Sequence, residues 1–178
     1  MSIHRLLARH GDRRRDAFGF KPQRITSMTQ SLAFALARLM MGWIFIPSGI
    51  SKLADVETTT AYITGTAGLP FPQVVALGTG AFEVLFGLAL IVGFQTRIAG
   101  LALSVFCLAT AVLFHAGKGY VPGLSEQAVT LLSELHFYMV FKNLSMAGGL
   151  LAIALSPSEA WSVDARLRRR AAGTLPAE

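Results

Sequence analysis

The amino-acid sequence predicts an all-α integral membrane protein, a four-helix up-down bundle with both termini cytoplasmic. The 178-residue chain is 53% hydrophobic and only 15% charged, whereas soluble domains contain about a quarter charged residues. The apolar residues also form four blocks, each with the roughly 17–25 residues that a helix needs to cross a hydrocarbon core. These blocks are Leu32 to Ile50, Val74 to Phe94, Ile98 to Phe114 and Phe137 to Leu155.

Basic residues are concentrated at the two ends of the chain. Residues 1–30 contain seven of the sixteen Lys and Arg, and residues 157–178 contain four arginines. Because basic residues that flank membrane spans mark the cytoplasmic side, we predict cytoplasmic tails at 1–30 and 157–178. Binding to nucleic acid is not expected, since the charge is explained by membrane orientation. The membrane domain between the tails covers 31–156, with spans at about 31–52, 72–94, 97–115 and 134–155.

The first span contains features that shape the helix and its packing. Gly42 and Gly49 let another helix approach closely, and Pro47 lacks a backbone donor and is expected to kink the helix. The connection that follows, residues 53–71, is expected to contain a short helix on the membrane surface, ended by the breakers that begin at Gly68.

The remaining spans follow from short connections. Residues 95–97 alone separate the second span from the third, so these helices must form a tight antiparallel hairpin. Arg97 marks that turn as cytoplasmic. Ser125 is suited to cap a helix that begins at Glu126. If this helix continues to Leu155, it begins above the membrane surface.

Glu83 is the most informative residue, because an ionisable side chain at the centre of a bilayer is costly and usually functional. It lies about 16 Å below the outer end of its span, at 1.5 Å per residue. Lys142 lies nearly as deep on the fourth span. We therefore predict that Glu83 and Lys142 form an ion pair or a proton relay and are the catalytic residues, with Asn143 beside them.

Other polar residues are expected near the same pocket, in the outer half of the bundle. Ser48, Lys52, His115 and His136 are placed toward the outer surface, although Lys52 could equally extend its amine to the interface as an ordinary flanking lysine. The predicted ligand-binding residues are Asn143, His115, His136, Ser48, Lys52 and Arg97. A purely structural interpretation also stays open, in which a buried ion pair only fixes the register of the helices.

Several chemistries are disfavoured. Cys107 is the single cysteine, so an intramolecular disulfide and a dithiol oxidoreductase are both excluded. There is no phosphate-binding loop, HExxH motif or GxSxG motif. His115 and His136 have no supporting metal-binding motif, so we predict no metal site and consider haem unfavourable.

The order and spacing of several short motifs resemble the DoxX family of small four-span bacterial membrane proteins. The resemblance covers about Ala37 to Leu155. It rests on residues 42–49 (GWIFIPSG) with Lys52-Leu53, Gly68-Leu69-Pro70, Glu83 with Gly87, Gly93 with Thr96-Arg97, His115, Phe141-Lys142-Asn143 and Gly148-Gly149.

The resemblance implies a multi-pass protein of the bacterial cytoplasmic (inner) membrane. The family is similar to a subunit of a thiosulfate:quinone oxidoreductase, and other members resemble membrane partners of redox or sulfur-handling proteins. Carried over by position, it favours Glu83, Lys142 and Asn143 as functional residues, followed by Arg97 and His115. It does not show that this chain is an enzyme.

Three functional hypotheses follow. The leading one is a redox-associated membrane subunit whose outer-half pocket binds a quinone or a similar small molecule. The second is a non-catalytic scaffold that recruits a partner protein, and the third is a small-solute transporter, which the absence of a visible inverted repeat disfavours. Expected partners are the lipid bilayer, a redox or sulfur-handling protein, and further copies of the chain.

Overall fold

The computed structural model describes residues 27–118, 123–156 and 161–173. These residues form helices and connections without strands, and four helical stretches are long and apolar enough to cross a membrane. The predicted all-α, four-span fold is thus confirmed. Most of the predicted 1–30 tail and parts of the 157–178 tail lie outside the described residues, and their cytoplasmic side stays a prediction. The four stretches are Met28–Ala54, Pro72–Val92, Thr96–His115 and Glu126–Leu155.

The first span consists of two helices, α1 (Ser27–Trp43) and α2 (Phe45–Ala54). The helix is interrupted at Ile44. Pro47 explains this break, because it has no N–H to donate to the carbonyl of Trp43, four residues earlier.

A short helix, α3 (Val56–Ala67), follows at once. Asp55 caps it by accepting a hydrogen bond from the Thr58 amide at 3.0 Å, and Gly68 ends it in the left-handed conformation. This is the short helix that the sequence predicts. Instead of only resting on the membrane surface, α3 packs against the second span and against the end of the third.

The second and third spans form the expected hairpin. Helix α4 (Pro72–Val92) ends at Gly93, which has a φ of 71° and is left-handed. Helix α5 (Thr96–Thr110) follows and continues as a π-helical turn, Ala111–His115. Single π turns inside helices frequently occur at functional sites.

The fourth span is the long helix α6 (Glu126–Leu155). Ser125 caps it, as predicted, by accepting a hydrogen bond from the Ala128 amide at 3.3 Å. At 1.5 Å per residue the helix is about 45 Å long, so it extends beyond a hydrocarbon core of about 30 Å. After a gap in the described residues, α7 (Val163–Ala171) closes the fold.

Small residues bring the spans into backbone contact. A Cβ atom on Gly49 would lie 2.5 Å from the Gly80 carbonyl oxygen, and one on Gly100 would lie 2.9 Å from the Ala154 Cβ. In lipid no hydrophobic driving force brings helices together, so close packing of this kind stabilises their association. The hydrophobic core beneath them includes Leu90, Leu103 and Leu150, which are fully buried.

The C-terminal segment is fastened to the α4–α5 hairpin. The Asp164 carboxylate accepts hydrogen bonds from the Gln95 amide (2.8 Å), the Thr96 amide (2.9 Å) and the Thr96 hydroxyl (2.8 Å). Nη2 of Arg38 donates to the Trp161 carbonyl. We call these contacts the tail-end joint, and the end of the bundle where they lie the tail end. The opposite end, where α3 lies, is the outer end.

Burial and hydrogen bonding act in opposite directions on Asp164. Partial burial raises the pKa of its carboxyl, but the hydrogen bonds from Thr96 and Gln95 and the nearby charge of Arg168 outweigh that effect. The pKa of Asp164 is therefore held below its ordinary value of 3.8. The carboxylate acts as an N-terminal cap for α5 that comes from a distant part of the chain.

Candidate functional site

A cavity of about 250 Å³ lies in the outer half of the bundle. Residues from all four spans and from α3 line it, so the helical packing as a whole creates it. Most of its wall surface is apolar or aromatic, although many of the lining residues have polar side chains. The lining residues are Ile44, Phe45, Ser48, Lys52, Thr59, Tyr62, Ile63, Thr79, Glu83, Phe106, Thr110, Phe114, His115, Lys142, Asn143 and Met146.

Glu83 lies in the cavity wall, and its ion-pair partner is Lys52. Nζ of Lys52 donates to Oε2 of Glu83 at 2.8 Å and to Oγ of Ser48 at 2.7 Å. The Glu83 side chain is only 5% exposed and that of Lys52 is 29% exposed. The predicted ion pair between Glu83 and Lys142 was therefore wrong.

The position of Lys52 explains why Glu83 pairs with it and not with Lys142. The sequence predicts Ser48 and Lys52 near the outer surface, because the first span is expected to end there. In the structure α2 packs its Gly49 against Gly80 of α4, which brings Lys52 level with Glu83, about 15 Å from either end of α4. The outer part of α4 is covered by α3 instead.

Lys142 also lines the cavity, but without a partner of its own. Among the described residues, no hydrogen bond or ion pair joins Lys142 to another group. Its neighbour Asn143 is buried and donates from Nδ2 to the Thr110 hydroxyl at 3.2 Å. The structure thus brings Glu83, Lys142 and Asn143 to one cavity, as predicted, and leaves the lysine available to it.

The two histidines meet at the outer end. Nδ1 of His115 and Nδ1 of His136 are 3.1 Å apart, so one ring donates to the other. His115 lines the cavity, whereas His136 contacts it only through His115. The part of the chain that the structure describes contains no cluster of three or more residues able to hold a metal ion.

Arg97 is separate from the site. It lies in the first turn of α5, at the tail end, where it is exposed. His115 ends the same span, about 27 Å away along the helix axis at 1.5 Å per residue. Among the predicted ligand-binding residues, Arg97 is thus the one that the fold places far from the cavity.

Helix α3 supplies cavity residues that are not among those predicted from the sequence. Thr59, Tyr62 and Ile63 face inward, and the Tyr62 ring stacks on Phe114 with ring centroids 5.8 Å apart. Their spacing is that of one helical face. The cap at Asp55 could have placed them on a helix, but nothing in the sequence shows that this helix covers a cavity.

The described residues of the site combine two lysines and a glutamate with the His115 imidazole and with hydroxyl and amide groups. Two of the charges, Lys52 and Glu83, compensate each other, and the third, Lys142, adds a positive charge to the cavity. Only one carboxylate oxygen of Glu83 accepts a hydrogen bond from a described residue. The site can therefore donate hydrogen bonds to an acceptor atom of a ligand and can also accept a proton.

Comparison with known proteins places this architecture among bacterial membrane proteins. The family model described as DoxX matches residues 33–116. Inner membrane protein YqjF of Escherichia coli (strain K12) is 30% identical over 143 residues, which cover 79% of the chain and 96% of that protein. Inner membrane protein YphA of the same organism is 28% identical over 136 residues, covering 74% and 87% of the two chains.

A more distant relative is the uncharacterized membrane protein Rv3486 of Mycobacterium tuberculosis (strain ATCC 25618 / H37Rv). It is 27% identical over 134 residues, which cover 75% of the chain and 80% of that protein. No solved structure matches the chain.

Proposed function

The chain belongs to the DoxX family and is a multi-pass protein of the bacterial inner membrane, and we propose that its outer-half cavity binds a quinone or a similar small molecule as part of a redox-associated membrane complex. The observation behind this proposal is the meeting of Lys52, Glu83 and Lys142 in one cavity with apolar walls. Ionisable groups within a membrane usually mark a ligand or proton pathway.

The hydrogen-bonding groups of the cavity suit a carbonyl-bearing ring. Lys142 has three donors and no described partner, so it can donate to a carbonyl oxygen. Asn143 has two amide donors, of which one is used on Thr110, and the other is available to the same ligand. Glu83 is the group that would accept or relay a proton.

The size and walls of the cavity favour a single ring. Its volume of about 250 Å³ is slightly below the range of about 300–1,000 Å³ that is typical of sites for drug-sized ligands. A single-ring head group is thus favoured over a fused macrocycle such as haem. Aromatic side chains that include Phe45, Phe106, Phe114 and Tyr62 offer surfaces on which such a ring can stack.

The chain would supply binding and proton transfer, and a partner would supply electrons. Reducing a quinone to a quinol adds electrons and protons in equal number. Within this proposal the electrons come from a redox or sulfur-handling protein bound to the membrane subunit, and the protons pass through Glu83. The cavity residues need only hold the ring and exchange protons with it.

Binding of a short-chain quinone tests the proposal. The protein is placed in quinone-free lipid nanodiscs and titrated calorimetrically, together with the variants Lys142→Met and Glu83→Gln. Hydrogen bonds to charged groups contribute about 1.5–3 kcal/mol, so we expect Lys142→Met, which removes such a donor, to bind at least about tenfold more weakly. Glu83→Gln removes the ion-pair partner that positions Lys52, and we expect it to bind more weakly as well. Arg97→Gln, which removes an exposed cation at the tail end, is the control and should bind like the parent.

Equal affinity for the parent and both cavity variants would overturn the proposal, as would no binding to the parent. If Glu83→Gln only lowers the yield of folded protein while quinone binding is absent throughout, the scaffold hypothesis gains support instead. Helical circular dichroism of each variant shows whether it is folded.

A further inference from the structure

A second depression lies at the tail end of the bundle, on the side away from the cavity. Its walls are Val92, Trp161, Ser162, Val163 and Arg166, and its volume is about 460 Å³. Val92 is the last residue of the second span. The groove therefore lies at the boundary between the hydrocarbon core and the head groups of the lipids.

The groove is preformed because the tail-end joint fixes the wall that residues 161–166 form. The Asp164 carboxylate is bound by the Gln95 and Thr96 amides, and the Asp164 amide donates to the Gly93 carbonyl at 3.0 Å. The Ser162 side chain is buried and caps α7 by accepting a hydrogen bond from the Ala165 amide at 3.1 Å. This wall thus has a fixed position relative to the second span.

The groove is basic on its polar side. Arg166 lines it, and α7 continues with Arg168, Arg169 and Arg170, all of them exposed. Asp164, the acidic residue of this helix, binds the hairpin and also lies near Arg168, so Arg166 is the cation that lines the groove. Guanidinium groups bind phosphate oxygens with matched, often bidentate geometry.

The same segment is apolar on its membrane side. Trp161 and Leu167 are each 51% exposed, and tryptophan is enriched at membrane interfaces because its ring suits the head-group level. Together with Val92, Trp161 gives the groove an apolar surface next to Arg166. An amphiphile with an anionic head group matches both halves of this surface.

We propose that the groove and the arginines of α7 bind the head group of an anionic phospholipid of the surrounding bilayer. Clusters of four or more basic residues directly beside a membrane span are typical of such binding. Lipid is favoured over a soluble acidic partner because the groove opens at the depth of the membrane interface. The site is independent of the cavity and of its proposed ligand.

The two tryptophans of the chain allow a direct test. Trp43 lies on the first span and is 64% exposed, so Trp43→Phe leaves Trp161 as the single fluorescent tryptophan. This variant is reconstituted into phosphatidylcholine vesicles that contain an equal mole fraction of either brominated phosphatidylglycerol or brominated phosphatidylcholine. Bromine quenches tryptophan fluorescence at short range, so the comparison measures which lipid lies next to Trp161.

We expect the anionic lipid to be preferred about fivefold or more, the effect of one arginine near an anionic surface. High salt should reduce the preference, since exposed charges are screened. Arg166→Gln in the same background should lower it, and replacing Arg166, Arg168, Arg169 and Arg170 together should abolish it. Lys118→Gln, which removes one positive charge at the outer end, should leave it unchanged.

Equal quenching by the two lipids at low salt would overturn the proposal, and so would a preference that survives the fourfold replacement. Equal quenching combined with a fluorescence change on adding polyglutamate would assign the groove to an acidic protein segment instead. The salt titration of the Trp43→Phe protein needs no change in the groove, so the test holds even if an arginine variant folds poorly.

Discussion

The cavity and the tail-end joint are both polar regions within an apolar bundle, but they use their polar groups differently. At the joint, the Asp164 carboxylate accepts three hydrogen bonds and is fully used to connect the C-terminal segment to α5. In the cavity, Lys142 has no described partner, and Glu83 uses one of its two oxygens. The joint holds the fold together, whereas the cavity retains groups for another molecule.

This difference separates residues that stabilise the protein from residues that can serve a ligand. Lys52 and Lys142 line the same cavity, yet only Lys52 is bound to Glu83. Replacing Lys52 should therefore lower the stability of the folded protein, and replacing Lys142 should lower its affinity for the ligand. The following variants test this division, from the largest expected effect on stability to the smallest.

Glu83→Leu should cause the largest loss of folding stability. Removing one partner of a buried ion pair leaves the other charge uncompensated, which costs about 3–5 kcal/mol. We expect about 3 kcal/mol, the lower end of that range, because Lys52 is 29% exposed and partly solvated. Unfolding by a denaturing detergent measures it.

The double variant Lys52→Met with Glu83→Leu is the matched control. Replacing both charges with apolar groups should restore much of the lost stability. A double variant as unstable as the sum of the single variants would show that the two side chains do not interact.

Gly49→Ala should cost about 1–3 kcal/mol, the usual effect of overpacking. The new Cβ would lie 2.5 Å from the Gly80 carbonyl oxygen and force α2 away from α4. That shift would also move Lys52 away from Glu83. Gly78→Ala is the control on the facing helix, since nothing lies within 4 Å of a Cβ there. Equal unfolding of both alanine variants would contradict the close contact.

Asp164→Asn should cost about 1 kcal/mol, the typical contribution of a hydrogen bond, because both carboxylate oxygens accept hydrogen bonds from the hairpin and an amide nitrogen cannot. The pKa of Asp164 is lowered in the folded protein. Its carboxylate therefore stabilises the fold above the ordinary pKa of 3.8, and this contribution is lost as the pH falls through the lower, folded pKa.

The stability difference between the parent and Asp164→Asn should thus be constant near neutral pH and shrink below about pH 4. Unfolding curves recorded across this pH range measure the difference. A gap that persists unchanged at the acid end would mean that the negative charge of Asp164 plays no part.

Lys142→Met should not destabilise the protein, because it removes a cation from within a membrane span without breaking a described interaction. Its side chain is exposed, and no described hydrogen bond or ion pair depends on it. The same variant should nevertheless lose affinity for the cavity ligand. A large loss of stability in Lys142→Met would show that the lysine is a structural residue after all.

Much of the fold could be predicted from the sequence, because a membrane span depends on local properties. Length, hydropathy and the breakers that begin at Gly68 indicate where helices begin and end, and the cap at Ser125 could be identified from residue type. The α4–α5 hairpin follows from the shortness of its turn. None of these inferences needs information about which helix faces which.

The partner of Glu83 could not be predicted in the same way. The pairing depends on the length of the first span, which ends where Asp55 caps α3. It also depends on the close approach of Gly49 to Gly80. Matching depths by counting residues assumes straight spans of full length, and the interrupted first span breaks that assumption. The joint at Asp164 was missed because its two halves are distant in sequence.

Native mass spectrometry of protein extracted from its own membrane tests the central claim most directly, since the ligand need not be guessed. We predict that the parent retains an adduct with the mass of a quinone or a similar small molecule, and that Lys142→Met loses this adduct while remaining folded. Retention of the same adduct by Lys142→Met, or no adduct on the parent in quinone-rich membranes, would contradict the account.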